Sequence, residues 1–568
     1  MPDHYDGGEL LIDALNAAGV EHVFSSPGSE WAPAWEAFAR RQAEGAPAPR
    51  YYDLTHETVA VAMATGYGLV TRRPQCVLLH AGPGLLQGAN AIHGALLAGA
   101  GMVVASSEST TYGEGDGPDP GGQWYRNLSV VGGPHGFAAP WTKWANQVGS
   151  VDTLYWSVTR AVETAERQPA GPVYLNVPLE VLLEPTSPPA GDWAKPSRGR
   201  RVATPPEVAE VAGLIAAAER PVVITETVGR EEGGFEALVR FAEAVGAGVV
   251  EPTSAVCANF PKDHPLHLGG ELGAAVDEAD LILLVNCRAP FYPPSSRPPK
   301  ARIVVIDEVP QRPHIVYQVL HASAYLEGGV PETLDALATA SAQLPGSAER
   351  VATRAAWVER HRAAWTAQTD AIIEKATGMA DRIEPARLAV KLREIVERED
   401  GVVVDETITH SRAVQRFLGW RAPDSYFYVQ GGLGQGMGWA LGVKLAIGDR
   451  LAVLTIGDGS YLYNPIVQSL LASKDLGLPL LVVVFNNRQY LSMKMNHLRF
   501  YPEGAAVATG NHLGVDLSSQ PDLAAFAEPL GMHHETVVDP ARLDAALEEA
   551  AAAVKGGTTA VVNVMLAR

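Results

Sequence analysis

Two polar clusters at the ends of apolar runs could carry chemistry in this chain. The segment LAVLTIGDGSYLYNP closes on Gly457-Asp458-Gly459 followed by Ser460, and after 26 intervening residues the run PLLVVVF closes on Asn486-Asn487. Continuous Val/Leu/Ile runs of this length read as buried parallel strands, so both clusters fall at strand carboxyl ends, where open α/β sheets bind ligands. A carboxylate and a carboxamide oxygen are hard donors, and Mg²⁺ takes one or two carboxylates together with neutral oxygens, phosphate and water. The glycines beside Asp458 let backbone approach a diphosphate, and a helix from about Pro465 would turn amide donors toward it. An isolated Gly-Asp-Gly is more often a plain strand-ending turn; the asparagine pair makes it a candidate metal and diphosphate site.

Such clusters need sheets to hold them, and the chain alternates short β-rich runs with longer helical ones. Expected strands are His22–Ser26, Gln75–His80, Met102–Ser106 and Pro172–Val177, with helices Glu9–Ala18, Glu57–Val70 and Leu85–Ala98 between them. The Pro-rich stretch 185–206 tolerates neither helix nor strand and marks a boundary. Beyond it lie expected strands Pro221–Thr225, Leu281–Asn286 and Ile303–Ile306, then an Ala-rich helical connector over 346–384. The final stretch carries strands Val402–Asp405, Leu451–Ile456, Leu480–Phe485 and Thr559–Met565 and the helix Ala541–Val554. The expectation is three consecutive parallel-sheet α/β domains, at 1–184, 207–345 and 385–568, the first and third sharing one rhythm.

A chain of 568 residues is too long for one core, and 47% hydrophobic against 19% charged residues describes a globular protein with much to bury. Its net charge of −20 argues against nucleic acid and anionic membrane as partners, because both attract clustered Lys and Arg. Any anionic ligand must be gripped locally. Cys76, Cys257 and Cys287 form no C-x-x-C pair and read as buried thiols. With no signal-peptide pattern and no apolar run of spanning length, a cytoplasmic location is expected.

Gly-Asp-Gly followed at this interval by Asn-Asn resembles the thiamine-diphosphate enzymes, in the branch with benzoylformate decarboxylase, pyruvate oxidase and acetolactate synthase. The resemblance implies pyrimidine-binding, middle and diphosphate-binding domains in that order. It implies that Asp458, Asn487 and the Gln489 carbonyl ligate Mg²⁺. In GGLGQGMGWALGVKLA, Leu433 stands 25 residues before Asp458, where the family's bulky wedge bends the cofactor, and the Gly431 carbonyl would take the cofactor's amino group. Thr409 and His410, in VVDETITHS, fall at the family's diphosphate contact. Leu433 read alone is ordinary core, and Thr409 read alone caps backbone.

In THETVAVAMATGYGLVTRRP the family's pyrimidine-binding glutamate falls on Glu57, although a glutamate opening a helix is by itself only favourable to the dipole. In LLHAGPG, His80 matches the histidine of benzoylformate decarboxylase; it reads as a proton-transfer group or as a hydrogen-bonded strand terminus. Ser29, in SSPGSEW, either binds a substrate carboxylate or N-caps the helix through Trp35. The implied activity is cleavage or formation of C–C bonds on 2-oxo acids, as a decarboxylase, an acyloin-forming carboligase, or both, with an aldehyde or 2-oxo acid as acceptor. The family shares each cofactor between subunits, which implies a homodimer at least and commonly a homotetramer. A non-decarboxylating lyase or acyl transferase, and an inactive regulatory homologue, remain open.

Departures narrow the substrate. The glutamate that follows the asparagine pair in pyruvate decarboxylases is Met493 here, and the acetolactate synthase tryptophan is Asn496. The long loop Tyr112–Pro140 brings Trp124, Tyr125 and His135, which face substrate or anchor the loop. Residues 207–345 carry no Gly-rich fingerprint specific enough to claim FAD, so the middle domain is read as vestigial.

Overall fold

The apolar runs form strands and the small-residue runs form helices, in three successive parallel sheets. The computed structural model describes residues 5–567 apart from 111–127, 190, 192–198, 200, 289, 292, 294–295 and 313–320. Trp124 and Tyr125 lie outside the described residues. His135 is exposed on a short helix, Pro134–Ala138.

Residues 1–198, 429–449 and 462–478 form one compact unit. Its sheet comprises β1 (His22–Ser26), β2 (Arg50–Asp53), β3 (Gln75–Leu79), β4 (Met102–Ser106), β5 (Ala145–Gln147) and β6 (Pro172–Asn176). The order is β2-β1-β3-β4-β6-β5, all parallel. Val23, Leu78, Val103 and Leu175 point from successive strands into one buried cluster under the helices Gly7–Ala17 and Val151–Glu166. The helix Glu57–Thr71 is buried along almost its whole length. Its small residues are explained by the helix Gly436–Ile447 packed against it, where a Cβ on Gly442 would stand 2.0 Å from the Met63 carbonyl oxygen. That crossing fixes the helix that begins with Glu57.

Residues 199–428, 450–461 and 479–568 form the second unit. One of its sheets holds β7 (Pro221–Thr225), β8 (Gly248–Val250), β9 (Leu281–Val285), β10 (Arg302–Asp307) and β11 (Ala324–Glu327), in the order β11-β10-β9-β7-β8. The other holds β12 (Val402–Glu406), β13 (Tyr426–Tyr428), β14 (Ala452–Gly457), β15 (Leu481–Asn486), β16 (His533–Val537) and β17 (Ala560–Met565), in the order β13-β12-β14-β15-β17-β16. Both sheets are parallel throughout. The first and last sheets therefore share one strand order. The connector is a single helix, Ser347–Thr377. Its buried Arg354 donates to the carbonyls of Ile215 at 2.6 Å and Ala218 at 2.7 Å, and to that of Val245, capping two helices of the β7–β11 sheet.

Every expected strand forms, with ends that differ by a residue; β3 stops at Leu79, so His80 stands just past it. Six further strands, β2, β5, β8, β11, β13 and β16, were not expected. Cys76, Cys257 and Cys287 are buried thiols outside any disulfide. Among the described residues no helix is long and apolar enough to cross a membrane.

Candidate active site

The turn after β1 is built on Trp31, which is fully buried and donates through Nε1 to the Leu79 carbonyl at 2.8 Å. Anchoring that ring carries the neighbouring Glu30 inward, where it is only 3% exposed. The Glu30 carboxylate accepts the Ala81 N–H at 2.8 Å and lies 2.9 and 3.0 Å from His80 Nδ1. A carboxylate only accepts, so Nδ1 carries the hydrogen and Nε2 is left for other work. The hydrogen bond that His80 donates to Glu30 raises the His80 pKa against the opposing effect of burial, and the charges of Glu30 and Glu57 add to it.

Glu57 opens its helix, with His56 as the N-cap accepting the Thr58 N–H at 3.2 Å. The Glu57 carboxylate has no hydrogen-bond or ion-pair partner among the described residues. Gly84 separates it from His80: a Cβ added there would lie 3.2 Å from Glu57 Oε1 and 2.8 Å from His80 Cβ. Glu57, His80 and Glu30 thus gather at one place. Ser29 is exposed, and neither the turn Ser29–Trp31 nor the helix Ala32–Glu44 has a side-chain cap, so the capping role considered for Ser29 is not realised. The turn Ser29–Trp31 runs directly into the helix Ala32–Glu44.

The loop before Gly436 is pressed against the helix Pro83–Ala98. Gly431 has φ +84°, and a Cβ there would meet Gly94 Cα at 2.4 Å, so both the conformation and the contact demand glycine. Two residues on, half-buried Leu433 receives a long hydrogen bond on its carbonyl from Asn90 Nδ2 at 3.4 Å.

In the second unit, Asp458 begins a short helix, Asp458–Tyr463, directly at the end of β14. The helix expected from about Pro465 follows as Ile466–Leu476; the first amides available beside Asp458 belong to the shorter one. Asp458 is 4% exposed; Oδ1 accepts the Gly459 N–H at 3.0 Å and Oδ2 is buried without a partner among the described residues. Burial pushes its carboxyl up to about 6, against hydrogen bonds from Gly459 and Arg488. An orphaned, desolvated carboxylate oxygen fits a cation.

The two asparagines divide their work. Asn486 is structural: it donates to Asn563 Oδ1 at 2.9 Å and accepts from the Arg488 N–H at 3.0 Å and Gln520 Nε2 at 2.8 Å. Asn487 accepts the Gln489 N–H on Oδ1 at 3.1 Å and donates through Nδ2 to His410 Nε2 at 3.1 Å. Burial lowers the His410 pKa to about 4, so the ring is neutral and can accept that hydrogen bond. The Gln489 carbonyl takes the Leu491 N–H at 2.9 Å and keeps a second lone pair. Thr409 and His410 occupy the turn after β12, half-buried, with Ile408 at φ +52°. Ser460 and Gly457 adjoin one another beside Asp458. Sequence reasoning missed Glu30 and Gln520; Glu30 was readable only as the acid in SSPGSEW, since nothing local reveals that it turns inward.

Two sheets of one strand order, one presenting an unpaired glutamate beside a carboxylate-held histidine and the other a buried Asp–Asn pair, define a cofactor-dependent α/β enzyme. Three thiamine pyrophosphate enzyme models match the chain: the N-terminal TPP binding domain over residues 5–128, the central domain over 208–337 and the C-terminal TPP binding domain over 407–564. The chain belongs to the thiamine pyrophosphate enzymes. An acetolactate synthase large subunit of Mycobacterium tuberculosis is 27% identical over 571 residues, covering 98% of this chain and 95% of the relative. A benzoylformate decarboxylase of Pseudomonas aeruginosa is 25% identical over 570 residues, covering 95% and 96%. A protein of the same species described as a "probable 2-ketoarginine decarboxylase" is 28% identical over 496 residues, covering 84% and 82%. The structure of benzoylformate decarboxylase from Polynucleobacter necessarius shares the fold, with TM-score 0.79 at 22% identity and 99% of each chain covered.

Proposed function

We propose that the protein is a thiamine-diphosphate- and Mg²⁺-dependent decarboxylase of 2-oxo acids, able to form acyloins when an acceptor aldehyde or 2-oxo acid is present. The observation that carries the reading is the Glu30–His80 pair beside the unpaired Glu57. Relatives named as decarboxylases and acetolactate synthases support it.

The bound cofactor supplies an electron sink for the carbon that loses CO₂. Glu57 would hold a proton against its pyrimidine, Leu433 would keep it bent, and the Gly431 carbonyl would accept from its amino group. Asp458, Asn487 and the Gln489 carbonyl would take Mg²⁺, with Gly457, Gly459, Ser460, Thr409 and His410 around the diphosphate. Ser29, which is exposed, would bind the substrate carboxylate. His80 is the proton donor: with Nδ1 committed to Glu30, Nε2–H of the imidazolium delivers its proton to the product carbon, and the raised pKa keeps it charged nearer neutrality. The protein would act as a homodimer or homotetramer, as the family's sharing of each cofactor between subunits implies.

The test is CO₂ release from a panel of 2-oxo acids, dependent on thiamine diphosphate and Mg²⁺ and lost in Glu57→Gln. Turnover without CO₂ would make the protein a non-decarboxylating lyase or acyl transferase. Cofactor binding with no turnover on any donor would make it a regulatory homologue.

A further inference from the structure

The second unit contains a cavity of about 1010 Å³ that the proposed chemistry does not use. Its walls are the chain after β8 (Glu251–Ser254), the connector helix around Trp365 and Thr369, and the helices Pro385–Arg398 and Ser411–Phe417. The volume suits a drug-sized or metabolite-sized ligand.

Of the cations that line it, Arg382 is paired with Glu384 at 2.9 Å and Lys375 belongs to the connector helix; the remaining five fall into two groups. Arg416 is spent: it reaches Glu271 at 2.9 Å, Gln368 Oε1 at 2.9 Å and Thr369 Oγ1 at 3.1 Å, and lies 3.9 Å above the Trp365 ring. Arg421 is paired with Asp263 at 3.0 Å, and Lys262 with buried Glu251 at 3.1 Å. Arg393 and Arg412 have no ion pair or hydrogen bond on their side chains among the described residues, although both line the cavity. Arg393 is unpaired even with Glu397 one turn on, the weaker order for a helical pair. Arg412 lies one turn before Arg416 and so shares the helix face that Arg416 turns to the cavity. Two uncommitted guanidinium groups in one concave site, on a chain of net charge −20, are local provision for an oxyanion.

Arg412 is also two residues from His410, whose Nε2 accepts from the Asn487 amide at 3.1 Å. Between strand and helix stands Ile408 at φ +52°, a conformation that is strained for a β-branched residue and holds only while its surroundings enforce it. The Ser411 hydroxyl donates to the Ile408 carbonyl at 2.6 Å, tying that turn to the first residue of the Arg412 helix.

We propose that this cavity is an effector site for a small oxyanion, a phosphate or a polycarboxylate, gripped by Arg393 and Arg412, and that its occupancy is felt at Asn487 through the Ile408–His410 turn. A ligand shifts such a turn only by its different affinity for the two arrangements, so coupling must accompany binding.

The experiment titrates the full-length holoenzyme calorimetrically with inorganic phosphate and, separately, citrate, at constant ionic strength held by chloride. It then follows release of thiamine diphosphate with and without each ion. One ion is expected to bind saturably and to change the release rate. The Arg393→Gln/Arg412→Gln variant should bind it at least about tenfold more weakly, the loss of one charge-assisted contact. That variant should retain wild-type circular dichroism and CO₂ release without the ion, with cofactor release indifferent to it. Phosphate or citrate alone identifies the class. Saturable binding of neither, or equal binding by the variant, overturns the site; a wild-type release rate indifferent to a bound ion overturns the coupling. Ion binding and cofactor release require no substrate, so a wrong reading of the catalytic reaction would leave both interpretable.

Discussion

Both carboxylate oxygens of Glu30 lie within 3.0 Å of His80 Nδ1, on a glutamate that is almost wholly buried. The contact does two things at once. It fixes the ring orientation, and it stabilises the protonated ring. A histidine at a strand end thereby becomes an acid with a defined direction.

Glu30→Gln tests that relationship. The amide can still accept the Ala81 N–H but removes the charge that raises the His80 pKa. If protonated His80 delivers the product proton, activity falls as pH rises through its pKa, and the variant should show that alkaline limb at lower pH. At neutral pH the expected fall in kcat is about 10- to 100-fold, as when a histidine loses its orienting partner. A pH–rate profile checks this. A merely structural role for Glu30 would lower activity without moving the limb.

Asp458→Asn should stabilise the cofactor-free protein. Burial raises the folded pKa to about 6, whereas the unfolded carboxyl ionises near 4. The unfolded chain therefore releases its proton first, and stability is lost as pH rises between those values. The loss is on the order of 1–3 kcal/mol at pH 7. Thermal melts of the apo-protein should place the variant above wild type at pH 7 and level with it at pH 4. Thiamine diphosphate with Mg²⁺ should raise the melting temperature of wild type but not of the variant.

The six strands that escaped sequence reading share one property: each is an edge of its sheet, β2 and β5 in the first, β8 and β11 in the second, β13 and β16 in the third. Edge strands are short and covered on fewer sides, so they lack the apolar runs that betray β3, β9 or β15. The Ala145–Gln147 strand is half-buried throughout, and Gly248–Val250, though buried, is three residues long. The site divides in the same way. Asp458, Asn487 and Glu57 could be named as candidates because motif spacing carries them. Glu30 was not, because its role depends on Trp31 docking against Leu79, a contact between residues 48 positions apart.

Gly431→Ala should be disruptive although it adds one methyl group. The new Cβ would meet backbone, Gly94 Cα at 2.4 Å, and φ +84° is strained for any L side chain. A cost of about 1–3 kcal/mol is expected, read as a lower melting temperature, with a much weaker response to thiamine diphosphate. Leu433→Ala, by contrast, should leave the melting temperature nearly unchanged and reduce kcat, because Leu433 is half-buried and Asn90 bonds its backbone carbonyl, which the substitution keeps.

His410→Ala isolates the orientation of Asn487. With the ring neutral, Nε2 accepts from Nδ2 and leaves Oδ1 toward Gln489, the oxygen proposed for the metal. Without the ring the amide can turn over and offer a nitrogen that no Mg²⁺ accepts. Metal and cofactor affinity should fall by about 10- to 100-fold, with kcat at saturating cofactor little altered. The same substitution should change the acid stability of the apo-protein. A histidine held neutral by burial is stabilising above its unfolded pKa of about 6.5, and that contribution is lost as pH falls toward its folded value of about 4. The variant should therefore lose less stability than wild type between pH 6.5 and 4. Equal slopes for the two proteins would mean that the ring is already solvated or charged, and the account of Asn487 would fail with it.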